Sequence, residues 1–278
     1  MTEANDEFVV EKCLAKSPAS EILLCHDKTG RRVVLKKIHR LKVEKELLAS
    51  EIDAARTLQH PSIIRVSDDF QEGMYHYLVM EYVKGQDLFA LISERKFVPF
   101  KEKDARKIFK QIVKAVQYVH EQHFAHRDLK MENIIMNENG RIKIIDFGLC
   151  CRTEEGKLYN KWCGSQDYCC PEILQKQPYN GQACDVWSLG VVLYILLYAE
   201  LPFGFKTRVK AVLKGQPHPP LNFADKRNPN KVSEEAKNLI SGMLQVESEK
   251  RMTLEQVAKH PWIKERTTFG CIVGRLLL

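Results

Sequence analysis

None of the nine cysteines forms a C-x-x-C pair, and their number is odd. That excludes the spacing of a zinc ribbon and argues against a disulfide-stapled scaffold, so a reduced intracellular compartment is expected. The histidines lack zinc-finger spacing as well. No block of basic residues stands out: the net charge of +7 is spread along the chain and leaves no nucleic-acid footprint. No apolar run is long enough to cross a bilayer. The longest, Val186 to Tyr198, is interrupted by Ser188 and reads as a buried helix, so no transmembrane segment is expected. The opening Met1-Thr2-Glu3-Ala4-Asn5-Asp6-Glu7 is polar and acidic, unlike a signal peptide or a myristoylation site. Repeats and low-complexity tracts are missing too. The expectation is a cytoplasmic protein, with the nucleus as a second location.

What is there suits an ordinary globular protein. A chain of 278 residues, 44% hydrophobic and 28% charged, can bury a sizeable core. Residues 7–83 are strand-rich. Phe8-Val9-Val10, Ile22-Leu23-Leu24 and Arg32-Val33-Val34-Leu35-Lys36 are β-branched runs, with a turn at Asp27-Lys28-Thr29-Gly30. The spacing of Leu47, Leu48, Ile52, Ala55 and Leu58 predicts a helix over Val43–Leu58, stopped by His60-Pro61. Strands are predicted over Ile63–Phe70 and Tyr75–Tyr82. From Gly85 the pattern turns helical: Lys101–His123, Cys184–Tyr198, Thr207–Lys214, Ser233–Leu244 and Leu254–Lys259. Ser233 and Thr253 stand as N-caps before acidic first turns. Strands followed by helices predict an α+β protein in two lobes, residues 1–83 and 84–264, with a hinge near Tyr82–Gly85 and an apolar tail over 265–278.

Two strings carry chemistry. His126-Arg127-Asp128-Leu129-Lys130-Met131-Glu132-Asn133 is followed by Asp146-Phe147-Gly148. The first resembles the H-R-D-L-K-x-x-N catalytic loop of eukaryotic protein kinases, and the second their metal-binding D-F-G. Further landmarks follow in order. Val33-Val34-Leu35-Lys36 is similar to the V-A-I-K strand, and Cys170-Pro171-Glu172 stands where A-P-E is expected. Asp185-Val186-Trp187-Ser188-Leu189-Gly190 matches D-x-W-S-x-G, and Arg251 matches the distant partner of Glu172. The chain thus resembles a serine/threonine protein kinase from about Glu7 to Lys264. Cys163-Gly164-Ser165 with Tyr168, Ile144–Leu149 and Pro178-Tyr179-Asn180-Gly181 resemble the calcium/calmodulin-dependent and AMP-activated-kinase-related group, especially its microtubule-affinity-regulating branch.

The resemblance implies a bilobal kinase fold, ATP and Mg²⁺ as cofactors, and protein substrates phosphorylated on Ser or Thr by a monomeric catalytic domain. It implies that Asp128 receives the proton of the substrate hydroxyl and that Lys130 contacts the moving phosphate. Asn133 and Asp146 would be the metal ligands, and Glu51 would hold Lys36 beside the phosphates. Ile22, Val34 and Ile135 would sandwich the adenine, backbone groups of Glu81 and Val83 would bond its edge, and Asp87 would contact the ribose. Glu132 matches a position that meets an arginine upstream of the phosphoacceptor. Glu172, Arg251 and Asp185 read as structural ion-pairing groups.

The pattern is broken in two places. The nucleotide-covering loop should read G-x-G-x-x-G, yet Leu14-Ala15-Lys16-Ser17-Pro18-Ala19-Ser20-Glu21-Ile22 holds no glycine. Side chains there hinder close approach of backbone to phosphate, and Pro18 lacks a donor. Leu14, Ala15, Ser17 and Ser20 are the nucleotide-facing candidates that replace the glycines. Lys161 stands where related kinases carry an activating threonine, and Cys151 falls near the usual basic partner of its phosphate. Tyr159, Thr153 and Ser165 are the alternative phosphorylation sites. Cys150, Cys151, Cys163, Cys169 and Cys170 crowd the same segment and read as small buried thiols. Two readings therefore stand: an active kinase, or a pseudokinase that binds and scaffolds.

Overall fold

Val33 to Ile38 needs cover on both faces. In the computed structural model, which describes residues 7–204, 219–224 and 232–264, it lies within β3 (Arg32–His39), buried from Val33 to Ile38. This strand is the centre of a five-stranded antiparallel sheet. The order is β1 (Phe8–Lys16), β2 (Ser20–Asp27), β3, β5 (Tyr75–Glu81) and β4 (Val66–Glu72). The turn between β2 and β3 needs a left-handed residue, and Gly30 supplies it at φ +79°. Asp27 Oδ1 accepts from Thr29 N at 2.9 Å and so closes the same turn.

Alternation along β3 sorts its side chains. Val33 and Leu35 pack with Cys25 and Val79 on one face. On the other, Ile38 packs with Leu78 and with Leu48 of α1 (Lys45–Thr57). Lys36 shares that second face by register, which aims it at α1. The buried residues of α1 are Leu48, Glu51 and Ala54, a three-residue spacing that puts the Glu51 carboxylate on the inward stripe.

The second lobe is built around α5 (Gly181–Tyr198). Its composition would suit a membrane span, but 89% of it is buried inside the protein, as the core helix of the larger lobe. Around it lie α2 (Leu88–Glu94), α3 (Glu102–Glu121), α4 (Pro171–Leu174), α6 (Glu234–Met243), α7 (Leu254–Lys259) and α8 (Pro261–Lys264). A small sheet runs β6 (Gly85–Asp87), β8 (Ile134–Asn137) and β9 (Ile142–Ile144), and β7 (Phe124–Ala125) pairs with β10 (Cys151–Arg152). The bilobal α+β architecture is the one expected.

Boundaries moved for identifiable reasons. The strand expected from Ile63 begins only at Val66, because Ile63 bridges Ile144 and Ile64 N donates to Ile144 O at 2.9 Å. Those apolar residues stitch the two lobes together instead of extending the sheet. Helix α5 starts three residues earlier than Cys184, because Asn180 caps it by accepting from Ala183 N at 3.0 Å. Ser233 and Thr253 cap α6 and α7 as expected, the latter with a full capping box. Cys150, Cys151 and Cys169 are buried free thiols. Cys170 departs from that expectation: it is bonded to Cys184, whose Cα lies 5.3 Å away, within the reach of a disulfide. The helix expected over Thr207–Lys214, the opening Met1–Asp6 and the apolar tail 265–278 lie outside the described residues.

Candidate active site

A cavity of about 600 Å³ opens between the lobes. Leu14, Ala15, Ile22, Val34, Lys36, Glu51, Glu81, Val83, Asp87, Asn133, Ile135 and Asp146 all line it. The strand β3 and the helix α1 bring Lys36 Nζ to 2.5 Å from Glu51 Oε1, and the loop after β9 brings Asp146 Oδ1 to 2.6 Å from the same nitrogen. Burial alone would push the Lys36 ammonium down, but Glu51 and Asp146 outweigh it and hold it above its ordinary value. Burial would likewise raise Asp146, and Lys36 wins there too, holding the carboxyl down to about 2. Asp146 has left-handed backbone, φ +60°. Beside it, a Cβ on Gly148 would lie 3.1 Å from Asp146 Oδ1 and 3.2 Å from Lys36 Nζ, so a side chain there would crowd this cluster.

The second cluster is held from below by α5. Asp185 is fully buried, and its carboxylate accepts from His126 N and Arg127 N, each at 2.8 Å. His120 Nε2 stands 2.9 Å from the same carboxylate. These bonds pin Arg127 at φ +63°, a strained value, and Asp128 after it lies outside the cavity lining, beside Ser165 and Tyr168. Asp128 Oδ1 accepts from Ser165 N at 2.8 Å and Ser165 Oγ at 2.9 Å. Its Oδ2 accepts from Lys130 Nζ at 2.7 Å and Asn133 Nδ2 at 3.2 Å. Asn133 thereby donates through nitrogen and keeps its carbonyl oxygen for another partner. Its backbone oxygen accepts from Ile145 N at 2.9 Å, which ties it to the segment carrying Asp146. A carbonyl oxygen and an ionised carboxylate form a hard donor set that fits Mg²⁺.

Ser17 and Ser20 do not line the cavity. Their groups close a tight turn on themselves. Ser17 N donates to Ser20 O at 2.8 Å, and Ser17 Oγ accepts from Ala19 N at 3.3 Å and Ser20 N at 2.9 Å. Pro18 has no N–H to offer a phosphate, and the N–H groups of Ser17, Ala19 and Ser20 are already bonded within the turn. Asp87 lines the cavity while its Oδ1 caps α2, accepting from Ala90 N at 2.8 Å.

Lys161, the substitute for a threonine, is paired with Glu44 at the start of α1. Its charge is thus led away from Arg127. The Arg127 guanidinium donates to Leu149 O at 2.7 Å and Tyr179 OH at 3.2 Å, and Tyr179 OH donates in turn to Lys161 O at 2.6 Å. Ser165 is bound to the Asp128 carboxylate, so a phosphate there would collide with it electrostatically. Thr153 Oγ1 accepts from Gln182 Nε2 at 3.2 Å, and Tyr159 OH donates to Arg152 O.

Two supports escaped the sequence. Lys143 Nζ holds Glu81 Oε1 at 2.5 Å, fixing the side chain at the cavity edge. Arg152 grips Asp53 through two bonds. Neither pair has a local signature, because each joins residues distant in the chain.

The match of the whole chain decides the family. Residues 11–263 match the protein kinase domain family. The chain belongs to that family. It is similar to the human "NUAK family SNF1-like kinase 2", at 39% identity over 257 residues, covering 90% of this chain and 39% of the relative. The rat protein of the same name is 40% identical over the same shares. Mouse "NUAK family SNF1-like kinase 1" is 37% identical over 84% of this chain and 35% of its own. These relatives fall in the AMP-activated-kinase-related group that the motifs indicated. This kinase-family chain spans about two fifths of the length of the NUAK relatives it matches.

Proposed function

We propose that the chain is a serine/threonine protein kinase that transfers the γ-phosphoryl group of Mg–ATP to a protein hydroxyl. The observation that carries this reading is the line Glu51–Lys36–Asp146, with contacts of 2.5 and 2.6 Å, in the same cleft as Asn133. Phosphoryl transfer is mainly positioning and charge stabilisation, and these groups supply both. Asp128 accepts a hydrogen bond from the substrate hydroxyl and takes its proton. Ser165 and Lys130 hold that carboxylate in one plane, and the Lys130 ammonium adds positive charge beside it. Lys36 binds phosphate oxygens, while Ile22, Val34 and Ile135 enclose the adenine. Asn133 and Asp146 would hold Mg²⁺, which supplies neutralisation of phosphate charge when bound. Glu132, which accepts from Tyr168 OH at 3.3 Å, would favour an arginine upstream of the phosphoacceptor. The reading extends to a monomer of two lobes, residues 1–83 and 84–264, acting in the cytoplasm.

The test is transfer of labelled γ-phosphate to a basic peptide library, with Asp146→Asn as the control that should abolish it. The second reading is a pseudokinase, favoured by one observation: the loop amides are consumed by Ser17 and Ser20. Thermal denaturation with and without Mg–ATP separates the two, since a bound ligand raises the melting temperature by mass action. No shift at millimolar nucleotide, with no transfer, selects the scaffold.

A further inference from the structure

The segment that follows Gly148 grips α1 at three points. Cys150 Sγ donates to Ser50 O at 3.3 Å. Arg152 forms a two-pronged bond to Asp53, Nε to Oδ2 at 2.6 Å and Nη2 to Oδ1 at 3.0 Å. Lys161 Nζ is paired with Glu44, which occupies the N-cap position of the helix. Glu44 and Asp53 bracket Glu51, the α1 residue that holds Lys36.

We propose that Lys161 and Arg152 are positioning residues, which dock α1 through Glu44 and Asp53 so that Glu51 meets Lys36. The inference rests on the kinase reading for its activity measurements and on the geometry alone for the docking. Helix α1 fully buries only Leu48, Glu51 and Ala54, with Ile52 and Ala55 packed half-buried beside them, so polar handles add to a modest apolar attachment. The handles act at opposite ends, which resists both tilting and sliding of the helix.

The sign of the charge is the distinctive part. A lone cation near a helix N-terminus opposes the helix dipole, whereas Glu44 complements both the dipole and Lys161. A negative group at position 161 would face Glu44 and repel it. In this chain, acidic charge at that position therefore releases α1 rather than docking it. Cation and carboxylate do, without covalent modification, what holds the helix in place.

The test reverses each pair. Lys161→Glu, Glu44→Lys and their double variant are compared with Arg152→Asp, Asp53→Arg and theirs. Side-chain exposures of 35% and 64% for one pair and 48% and 39% for the other make each contact modest and sensitive to salt. Each single reversal is expected to lower kcat about threefold to fivefold at low ionic strength, with peptide KM unchanged and a smaller effect at high salt. The swapped doubles recover most of the loss. Amide hydrogen exchange in α1 is expected to rise in each single variant and return in each double, while α3 and α5 keep wild-type protection. Unchanged α1 exchange in the singles, or doubles as impaired as the sum of their singles, would overturn the proposal. If the wild-type protein transfers no phosphate, the kinase reading fails, and the exchange measurement still decides the docking.

Discussion

Replacing Glu51 by Gln tests the core of the site. The change keeps shape and removes one of the two carboxylates that hold Lys36. The side chains of Lys36 and Glu51 are 10% and 6% exposed, so their attraction is poorly screened. Breaking a buried pair costs about 3–5 kcal/mol when the remaining charge is left alone. Here Lys36 keeps Asp146 at 2.6 Å, so the lower figure applies. A loss of ~3 kcal/mol in transition-state positioning corresponds to a fall in kcat/KM of about 100-fold. The assay is steady-state phosphorylation of a basic peptide, with circular dichroism to establish that the variant is folded. A kcat/KM within threefold of wild type would refute the reasoning, because Glu51 would then be a packing residue. The pH dependence provides an independent check. Asp146 is depressed to about 2 from 3.8, so its pairing stabilises the fold fully above about pH 4 and is lost as pH falls through 2. Lys36 is raised above 10.5, so its share persists below that value and disappears only as pH climbs beyond it. Stability from this pair is expected to be level across neutral pH, and a steep change between pH 6 and 8 would contradict it.

Other perturbations separate support from chemistry. Asp185→Asn replaces an acceptor of two backbone N–H groups by one that must turn its amide NH2 donor toward one of them, and should destabilise the protein by ~3 kcal/mol in denaturant titration. Gly148→Ala should lower nucleotide-induced thermal stabilisation, since its Cβ would sit 3.2 Å from Lys36 Nζ. Replacing Ser17 and Ser20 together by glycine should free the loop amides, and an ATP KM that does not fall would show that the loop never limited binding. Phosphatase-treated protein from bacteria should keep its activity, and loss of most of it would point to Tyr159 or Thr153. Glu132→Gln should weaken the preference for upstream arginine about fivefold, with the maximal rate little changed, in a peptide-array profile.

The legible part of this molecule is the part written locally. A strand with Lys36 on its inward face, a helix with Glu51 on its apolar stripe, and the loops carrying Asp128 and Asp146 each occupy a few consecutive residues. The structure brings Lys36, Glu51, Asn133 and Asp146 to one cavity, and Asp128 beside it through its bond with Asn133. The lobes were legible for a similar reason, since period-two runs give way to period-three-to-four runs near Gly85. What escaped was set by approach between distant segments. Lys161 could be seen to lack a phosphate acceptor, but its partner Glu44 lies 117 residues away and no pattern joins them. The same holds for Lys143 with Glu81, 62 residues apart, while Cys170 and Cys184, only 14 apart, carry no spacing that marks them as a pair.

The glycine-free loop shows how a local reading can be right about chemistry and incomplete about consequence. Loss of glycine was expected to keep phosphate away by side-chain bulk. The structure adds a second cause: the serines that replace the glycines are good acceptors for neighbouring amides, and Ser17 Oγ captures the N–H groups of Ala19 and Ser20. A backbone that has satisfied its own donors gains little by opening toward an anion. Charge compensation for a nucleotide then falls on Lys36 and on the oxygen donors Asn133 and Asp146. Of these, Lys36 is held by Glu51 of α1, and Asp146 pairs with Lys36 in turn. With the loop contributing little, the position of Lys36 weighs more, and under the docking proposed above Lys161 and Arg152 bear on it through α1.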